Sequence, residues 1–384
     1  MHVAMVLPAP RRGEGGRSGF HPAIQALLEG LQNSRAVRIS AVFPQDPHFS
    51  PILPKARNIF PYPVQVPATT GTLPGRGFLA RARLLRAALH SICPALVHGQ
   101  GTEKEAAWVA VTSGFPSVIT LHGLMQEVAR EPCHRWILRY WLAAWVERQA
   151  VRRADGVIAL SPHARTLIKR TNPRVFKIPN AIRSEFFQIP SLPSRSSREP
   201  LVLFSGHLTP AKRPDWFIRG VQELWRQGRR FRARMLGLGD PRHPYVRGMI
   251  QMLEPGVNGR RISLEMNSRD VVRHIREADI LFHPSRLENQ STSVAEAMAA
   301  GRCVVAADIP GNVSLLDQGA GWLFPSQDFR AAQQILDSVI ADPGRRILAA
   351  QAGRLKAAKF QPAQVARATE EVYRNLLPRQ SRHR

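Results

Sequence analysis

The sequence predicts an α/β fold built from two doubly wound parallel sheets, and three observations carry that expectation. Short apolar runs alternate with helix-length amphipathic patterns along most of the 384 residues. That length exceeds one ordinary hydrophobic core and suits two domains. A segment rich in Pro and Ser, Gln188 to Pro200, interrupts the alternation once.

The first apolar run, His2 to Leu7, stops at Pro8 and lacks a basic leader, so it reads as a core strand and not as a signal peptide. Further strands are expected at 38–43, 95–98, 117–121, 156–160 and 175–178, where apolar side chains crowd between turn signals. Helical patterns fall near 22–32, 77–91, 103–112, 132–153 and 162–169; Ser161 followed by Pro162 opens the last with an N-cap and a proline at the first helical position. Residues 46–74 are proline-rich and are expected to form an irregular excursion. Beyond the Pro/Ser segment the alternation restarts, with strands at 201–205, 232–237, 261–265 and 279–283 and helices at 214–227, 244–253 and 270–277. The expected division is 1–187, a linker over 188–200, a second domain over 201–360, and a C-terminal helix with a basic tail over 361–384, the helix crossing back to the first domain. Rossmann-like sheets bind ligands outside the carboxyl ends of their strands, so the cleft between the two is the expected active site.

The formal charge of +26 is mostly arginine and is spread over both halves: residues 1–188 hold 24 Lys and Arg against 10 Asp and Glu. Helix-turn-helix, RNP and zinc-finger patterns are absent, so no specific nucleic-acid partner is expected. The charge attracts polyanions without specificity, and an anionic membrane surface or phosphate-linked lipid is as good a target as DNA. An arginine bias with no function of its own is the competing reading. Cys93, Cys133 and Cys303 are odd in number and widely spaced, without a CxxC or Cys/His cluster, so no metal site is expected and a reducing cytoplasm is the simplest compartment. No stretch approaches the roughly 18 apolar residues of a membrane span, which makes the protein soluble or peripheral. Arg135 to Val146, RWILRYWLAAWV, combines tryptophan and arginine in the manner of an interfacial helix. Its apolar residues cover nearly the whole circumference, however, which favours a helix buried in the core over one docked on a membrane.

Phe282 to Pro310, FHPSRLENQSTSVAEAMAAGRCVVAADIP, carries the most functional information. Glu288 and Glu296 stand eight positions apart around a helix start. Ser291, Thr292 and Ser293 are N-cap candidates, Gly301 follows as a C-cap, and a strand resumes at 303–306. A strand ending near His283, then a loop, then a helix N-terminus aims backbone N–H groups and the positive end of the dipole at one spot, which suits a diphosphate. Carboxylates accept hydrogen bonds in pairs, so two of them beside such a spot fit a ligand that is polyhydroxylated as well as phosphorylated. A nucleotide sugar is such a ligand.

This segment resembles the E-x7-E signature of retaining GT-B glycosyltransferases of family 4, with Glu288 and Glu296 at the two acidic positions; the run Glu-Ala-Met-Ala-Ala-Gly from 296 is also similar to that group. Leu203 to Leu208, LFSGHL, followed by Lys212 resembles the segment in which a Gly-Arg pattern and a later lysine clamp the donor diphosphate. Gly206 matches. His207 stands where many relatives carry arginine, which leaves Lys212 with Arg213 as the main counter-charge. RRGEGG at 11–16 resembles the loop that approaches donor phosphate and acceptor, with Gly15 and Gly16 permitting close backbone approach. VITLHG at 118–123 places His122 at a strand end, where the family has a histidine facing the reacting sugar. Leu160-Ser161, Ile178-Pro179-Asn180 and Gly237-Leu238-Gly239-Asp240 are similar to family segments that read as scaffold.

The resemblance implies a GT-B fold, with an N-terminal acceptor domain and a C-terminal donor domain. It implies a metal-independent, retaining hexosyltransferase that needs no cofactor beyond a UDP- or GDP-linked donor. The acceptor would be a glycan or lipid-linked glycan of cell-envelope or exopolysaccharide synthesis, handled in the cytoplasm or on the inner face of the plasma membrane. In that assignment Glu296 binds ribose hydroxyls, Glu288 binds the transferred sugar, and Asn289, Gln290, Ser291 and Thr292 present donors to the ligand. Lys212 and Arg213 stabilise the leaving diphosphate, and His122 orients the donor sugar. Two rivals belong to other classes: a GT-B sugar-nucleotide 2-epimerase, which needs a general-base constellation across the cleft that no motif here marks, and a nonenzymatic basic protein that binds polyanions or membrane.

Overall fold

The structure, a computed structural model, describes residues 1–10, 20–45, 53–66, 76–131, 137–193, 198–253, 256–268 and 270–377. It comprises two compact units, Met1–Ala181 with the chain from Gln361 onward, and Ile182–Phe360.

The first unit holds β1(His2–Val6), β2(Arg38–Gln45), β3(Ile59–Gln65), β4(Leu96–Gln100), β5(Ser117–Leu121), β6(Gly156–Ala159) and β7(Val175–Lys177), parallel and in the order β3-β2-β1-β4-β5-β6-β7. Its helices are α1(Pro22–Leu31), α2(Arg76–Ile92), α3(Glu105–Val111), α4(Met125–Arg130), α5(Ile137–Arg153) and α6(Pro162–Lys169). The central strands read as continuous apolar runs because both faces are covered. Alternate residues of β1 go to different cores: Val3 and Met5 pack with Ile24 and Leu28 of α1, and Ala4 and Val6 pack with Leu85 and Leu89 of α2.

The second unit repeats the plan. After α7(Ser184–Phe187) come β8(Leu201–His207), α8(Pro214–Arg226), β9(Arg232–Leu238), α9(Pro244–Met252), β10(Ser263–Met266), α10(Val271–Glu277), β11(Ile280–His283), α11(Thr292–Ala299), β12(Cys303–Asp308), α12(Pro310–Leu316), β13(Trp322–Pro325), α13(Phe329–Ala341) and α14(Pro343–Ala357). The parallel strands run in the order β10-β9-β8-β11-β12-β13. Phe204 and Phe282 point to the face covered by Phe217 of α8, whereas Leu203 and Leu281 meet Val294 and Met298 of α11.

Three expectations are corrected. The irregular excursion at 46–74 contains β3, an edge strand paired only with β2. Because Ile39 N–H donates to Asn58 O, the even-numbered residues of β3 face β2, and Pro61 and Pro63 place their missing donors on the free edge. The chain passes between the units at Ala181/Ile182 instead of through 188–200. Phe186 and Ile189 are buried in the second core, and Arg354 and Arg302 donate to the carbonyls of Phe187, Ile189 and Pro190. Residues 186–190, at the start of that segment, are thus fastened to the second core. Finally, the expected helix over 132–153 is described from Ile137 and is not buried all round: Leu138, Trp141, Leu142 and Trp145 share an exposed face, with Leu138 82% and Trp145 56% accessible. The smaller Ala143, Ala144 and Ala150 occupy the inner face instead.

The last helix, α15(Pro362–Leu376), packs on α1 within the first unit. Contact is close because α1 presents Gly30: a Cβ there would lie 2.1 Å from Pro362 O and 2.9 Å from Ala366 Cβ. Gly30→Ala is therefore expected to destabilise the first unit by about 1–3 kcal/mol, the usual cost of overpacking. Thermal unfolding checks this, and an unchanged melting temperature would mean that α15 does not seat against α1.

Candidate active site

Strand order in the second sheet reverses between β8 and β11, and such a switch point opens a crevice at the strand carboxyl ends. From β8 the chain enters a 3-10 turn, Pro210–Lys212; from β11 it runs through residues 284–291 into α11. The two connections are tied together, since Ser285 Oγ (3.3 Å) and Arg286 N–H (2.8 Å) both donate to Ala211 O.

Glu288 lies where they meet. Its Oε1 accepts a hydrogen bond from Lys212 Nζ and sits 2.9 Å from His283 Nε2. The carboxylate selects the tautomer with hydrogen on Nε2, and Ser291 Oγ lies 3.1 Å from the same nitrogen. Burial alone would raise the Glu288 pKa. The Lys212 ammonium and His283 outweigh it and hold the carboxyl well below the ordinary carboxylate range. Gly311, in the first turn of α12, presses on the backbone of the same residue: a Cβ would stand 2.2 Å from Glu288 O, so only glycine fits.

Glu296 is in the second turn of α11 and is 5% exposed. Burial raises its pKa to about 7, with Arg183 opposing the shift and Glu185 adding to it. Ser291 caps α11 by accepting from Val294 N–H at 3.4 Å. Asn289 and Gln290 are buried in the loop and Thr292 is half-buried at the helix start. At the end of β8, Gly206 is half-buried and His207 is exposed.

Lys212 and Arg213 diverge. Arg213 has left-handed backbone, φ 48° and ψ 53°, between the 3-10 turn and α8. Its buried guanidinium lies 4.2 Å from the Trp216 ring centroid and donates to Ser326 O. The lysine is thus the partner of Glu288, and the arginine fixes the turn that presents it.

In the first unit the reversal falls between β1 and β4. His122, just after β5, has Nε2 2.9 Å from Oε1 of Gln100, the last residue of β4. Its ring centroid is 5.5 Å from that of His21. Burial lowers the His122 pKa, and the opposing Glu103 charge and Asn180 hydrogen bond do not reverse this, so the ring is neutral. Gly15, Gly16 and Cys133 lie outside the described residues. Among the described residues no cluster of His, Cys, Asp and Glu could hold a metal ion.

The structure joins Glu288 and Lys212 directly, and it brings beside the named residues three that motif reading passed over. His283 carried one signal, a polar residue ending an apolar strand five positions before Glu288. Gln100 and Gly311 carried none beyond their place at an element boundary.

The raised pKa of Glu296 has a signed consequence. Protonated Glu296 is the form that burial favours, so stability from this group is complete below pH 4.5 and is lost as pH rises through about 7. Glu296→Gln removes that loss, and its advantage over wild type should grow between pH 4.5 and 8 by on the order of 3 kcal/mol. Urea unfolding at several pH values reads the difference; an advantage independent of pH would overturn the assignment.

Two family models match the chain: the description "Glycosyl transferase 4-like domain" over residues 18–181 and "Glycosyl transferases group 1" over 199–342. Alpha-maltose-1-phosphate synthase of Mycolicibacterium smegmatis is 29% identical over 299 residues, covering 68% of this chain and 74% of that protein. Among solved structures, sucrose-phosphate synthase from Thermosynechococcus elongatus superposes with TM-score 0.79 at 18% identity, covering 98% of this chain and 99% of the other. Anabaena Alr3699/HepE, solved in complex with UDP-glucose, gives 0.69 at 17%, covering 98% and 100%. These similarities show a GT-B fold of two parallel-sheet Rossmann-like units. With each unit matched by a model of the same enzyme class, the chain belongs to the group 1, family 4 glycosyltransferases.

Proposed function

We propose that this glycosyltransferase moves a sugar, with retention of anomeric configuration and without a metal ion, from a UDP- or GDP-linked donor to a hydroxyl of a glycan or lipid-linked glycan. Cell-envelope or exopolysaccharide synthesis is the proposed setting. The observation that carries the reading is the Lys212–Glu288–His283 cluster at the switch point of the second sheet. Glu288, ionised and fixed, accepts hydrogen bonds from the hydroxyls of the transferred sugar. Lys212 has three donors and uses one on Glu288, so two remain for the diphosphate oxygens, where negative charge grows as the glycosidic bond breaks. The N–H groups at the start of α11, with Asn289, Gln290, Ser291 and Thr292, add donors for the same phosphates. Glu296 takes the ribose hydroxyls, and because those hydroxyls donate, they favour its ionised form. Gly206 and His207 border the diphosphate, with Gly15 and Gly16 of the first unit assigned to the same ligand. Arg213 contributes through the turn it stabilises. His122, a neutral ring, hydrogen-bonds the donor sugar. The UDP-glucose complex of the structural neighbour and the sugar phosphate in the name of the mycobacterial relative support a nucleotide-sugar donor and a sugar acceptor. No resident cofactor has a role in this scheme.

Thermal shift with UDP, GDP, ADP, CMP and their sugar conjugates tests the donor assignment. A ligand at a hundred times its Kd adds about 2.7 kcal/mol of stability. One diphosphate nucleotide should stand out, and Lys212→Ala should lower kcat by roughly 10² to 10³. Equal shifts with every anion, or unchanged turnover in the variant, would remove the proposed roles.

We also propose that the protein works at an anionic membrane surface on the cytoplasmic side. Among the described residues no helix is long and apolar enough to cross a membrane. The exposed Leu138, Trp141, Leu142 and Trp145 of α5 continue along the same helical face into Arg148 and Arg152, an arrangement that suits the interface of an acidic leaflet. Trp141→Ser with Trp145→Ser should reduce sedimentation with phosphatidylglycerol vesicles severalfold without altering nucleotide binding. Equal sedimentation of variant and wild type would refute the contact.

A further inference from the structure

The first unit contains a cavity of about 490 Å³ framed by α4, α5 and α6, whose lining includes none of the residues assigned to the candidate active site. Its charge is unbalanced. Three arginines, all exposed, are among its lining residues: Arg130 at the end of α4, Arg148 on α5 and Arg170 just past α6. Among the described residues none of the three has a carboxylate within ion-pair distance. Of the two acids in the lining, Glu127 is already paired with His163 at 2.5 Å. The other, Glu147, is buried and occupied by the Thr102 hydroxyl and the Met125 N–H. Burial pushes the Glu147 pKa up to about 8, so at neutral pH it is largely uncharged and does not repel an anion. Leu124, Leu167 and Ile168 supply an apolar wall beside the arginines.

Unpaired arginines on a solvent-exposed surface are ordinary. Three exposed arginines that line one recess, from the end of α4, from α5 and from just past α6, beside a buried Glu147 and a Glu127 already hydrogen-bonded to His163, form a concave cationic site. A guanidinium fork matches the oxygens of a phosphate ester, and the apolar wall accommodates the ring or chain that carries it. We infer that the cavity between α4, α5 and α6 binds a phosphate ester, borne by either a soluble sugar phosphate or a lipid headgroup. That this ester belongs to the acceptor rests on the transfer reading above; the binding itself does not. Arg148 also ends the exposed face of α5, so a phosphate at the membrane surface and one in solution can reach the same recess.

Calorimetric titration with glucose 1-phosphate, with glucose as the uncharged control, and sedimentation with phosphatidylglycerol vesicles test the site. Wild type should bind at least one of the phosphate-bearing ligands and should not bind glucose. Arg130→Ala/Arg170→Ala should weaken that binding tenfold or more while the nucleotide-induced thermal shift stays at its wild-type value, which also verifies folding. A loss confined to glucose 1-phosphate assigns the site to a soluble ester, and a loss confined to vesicles assigns it to a lipid headgroup. Wild-type protein that binds neither ligand, or a double variant that binds as wild type does, overturns the inference. Absence of any nucleotide shift in the wild type counts against the transfer reading and leaves the phosphate result standing.

Discussion

One carboxylate that must stay ionised while nearly enclosed organises the head of the second sheet. A buried charge is tolerated only when it is paired and hydrogen-bonded. Glu288 meets that condition through groups from both sides of the switch point, Lys212 after β8 and His283 at the end of β11. The hydrogen bonds from Ser285 and Arg286 to Ala211 O hold the two connections in register, and Gly311 lets α12 close down on the Glu288 backbone. The lysine is thereby held in place and desolvated on one side.

The two acids of the motif sit in opposite electrostatic environments although Glu296 is buried and Glu288 largely enclosed. Lys212 and His283 stand against Glu288 and pull its pKa down, whereas burial dominates at Glu296 and lifts it to about 7. The contrast separates permanent charge from adjustable charge. Glu288 presents an acceptor at any physiological pH. Glu296 changes its charge near neutral pH, so any hydrogen-bond donor or cation that favours its ionised form is linked to proton release. The first sheet follows the same physics with opposite sign: burial lowers the pKa of His122 and pushes that of His98 to about 3, leaving both rings uncharged in a strongly basic protein.

Much of this was legible in the sequence where local chemistry and burial agree. The central strands of both sheets read out because each is apolar on two faces, whereas β3 and β13 were not expected; the start of α11 was marked by Ser291 and its end by Gly301. Glu288, Glu296 and Lys212 stood out through spacing. The sequence was less informative wherever tertiary context overrides composition. Two prolines concealed β3 because nothing local announces an edge strand. Large apolar residues on α5 looked like core, but helix packing there selected the alanines. Lys212 and Arg213 are neighbours in the chain and read as one cationic pair; the left-handed backbone at Arg213 sends them in different directions, and no pattern of side chains foretells that. Gln100 and His283 became site residues only once strand order put their ends beside the switch points.

The return of α15 to the first unit has a consequence for how the molecule is made. In connectivity, the second unit is an insertion: residues 182–360 are contiguous, whereas the first unit is divided between the start of the chain and residues beyond 360. During vectorial synthesis the first sheet emerges before the helix that covers α1, and Tyr373, which reaches His98 at 2.6 Å within that sheet, is made more than 270 residues after its partner. The half of the protein translated first is thus the half completed last, and the ribosome finishes the second unit while the first still waits with an apolar face uncovered.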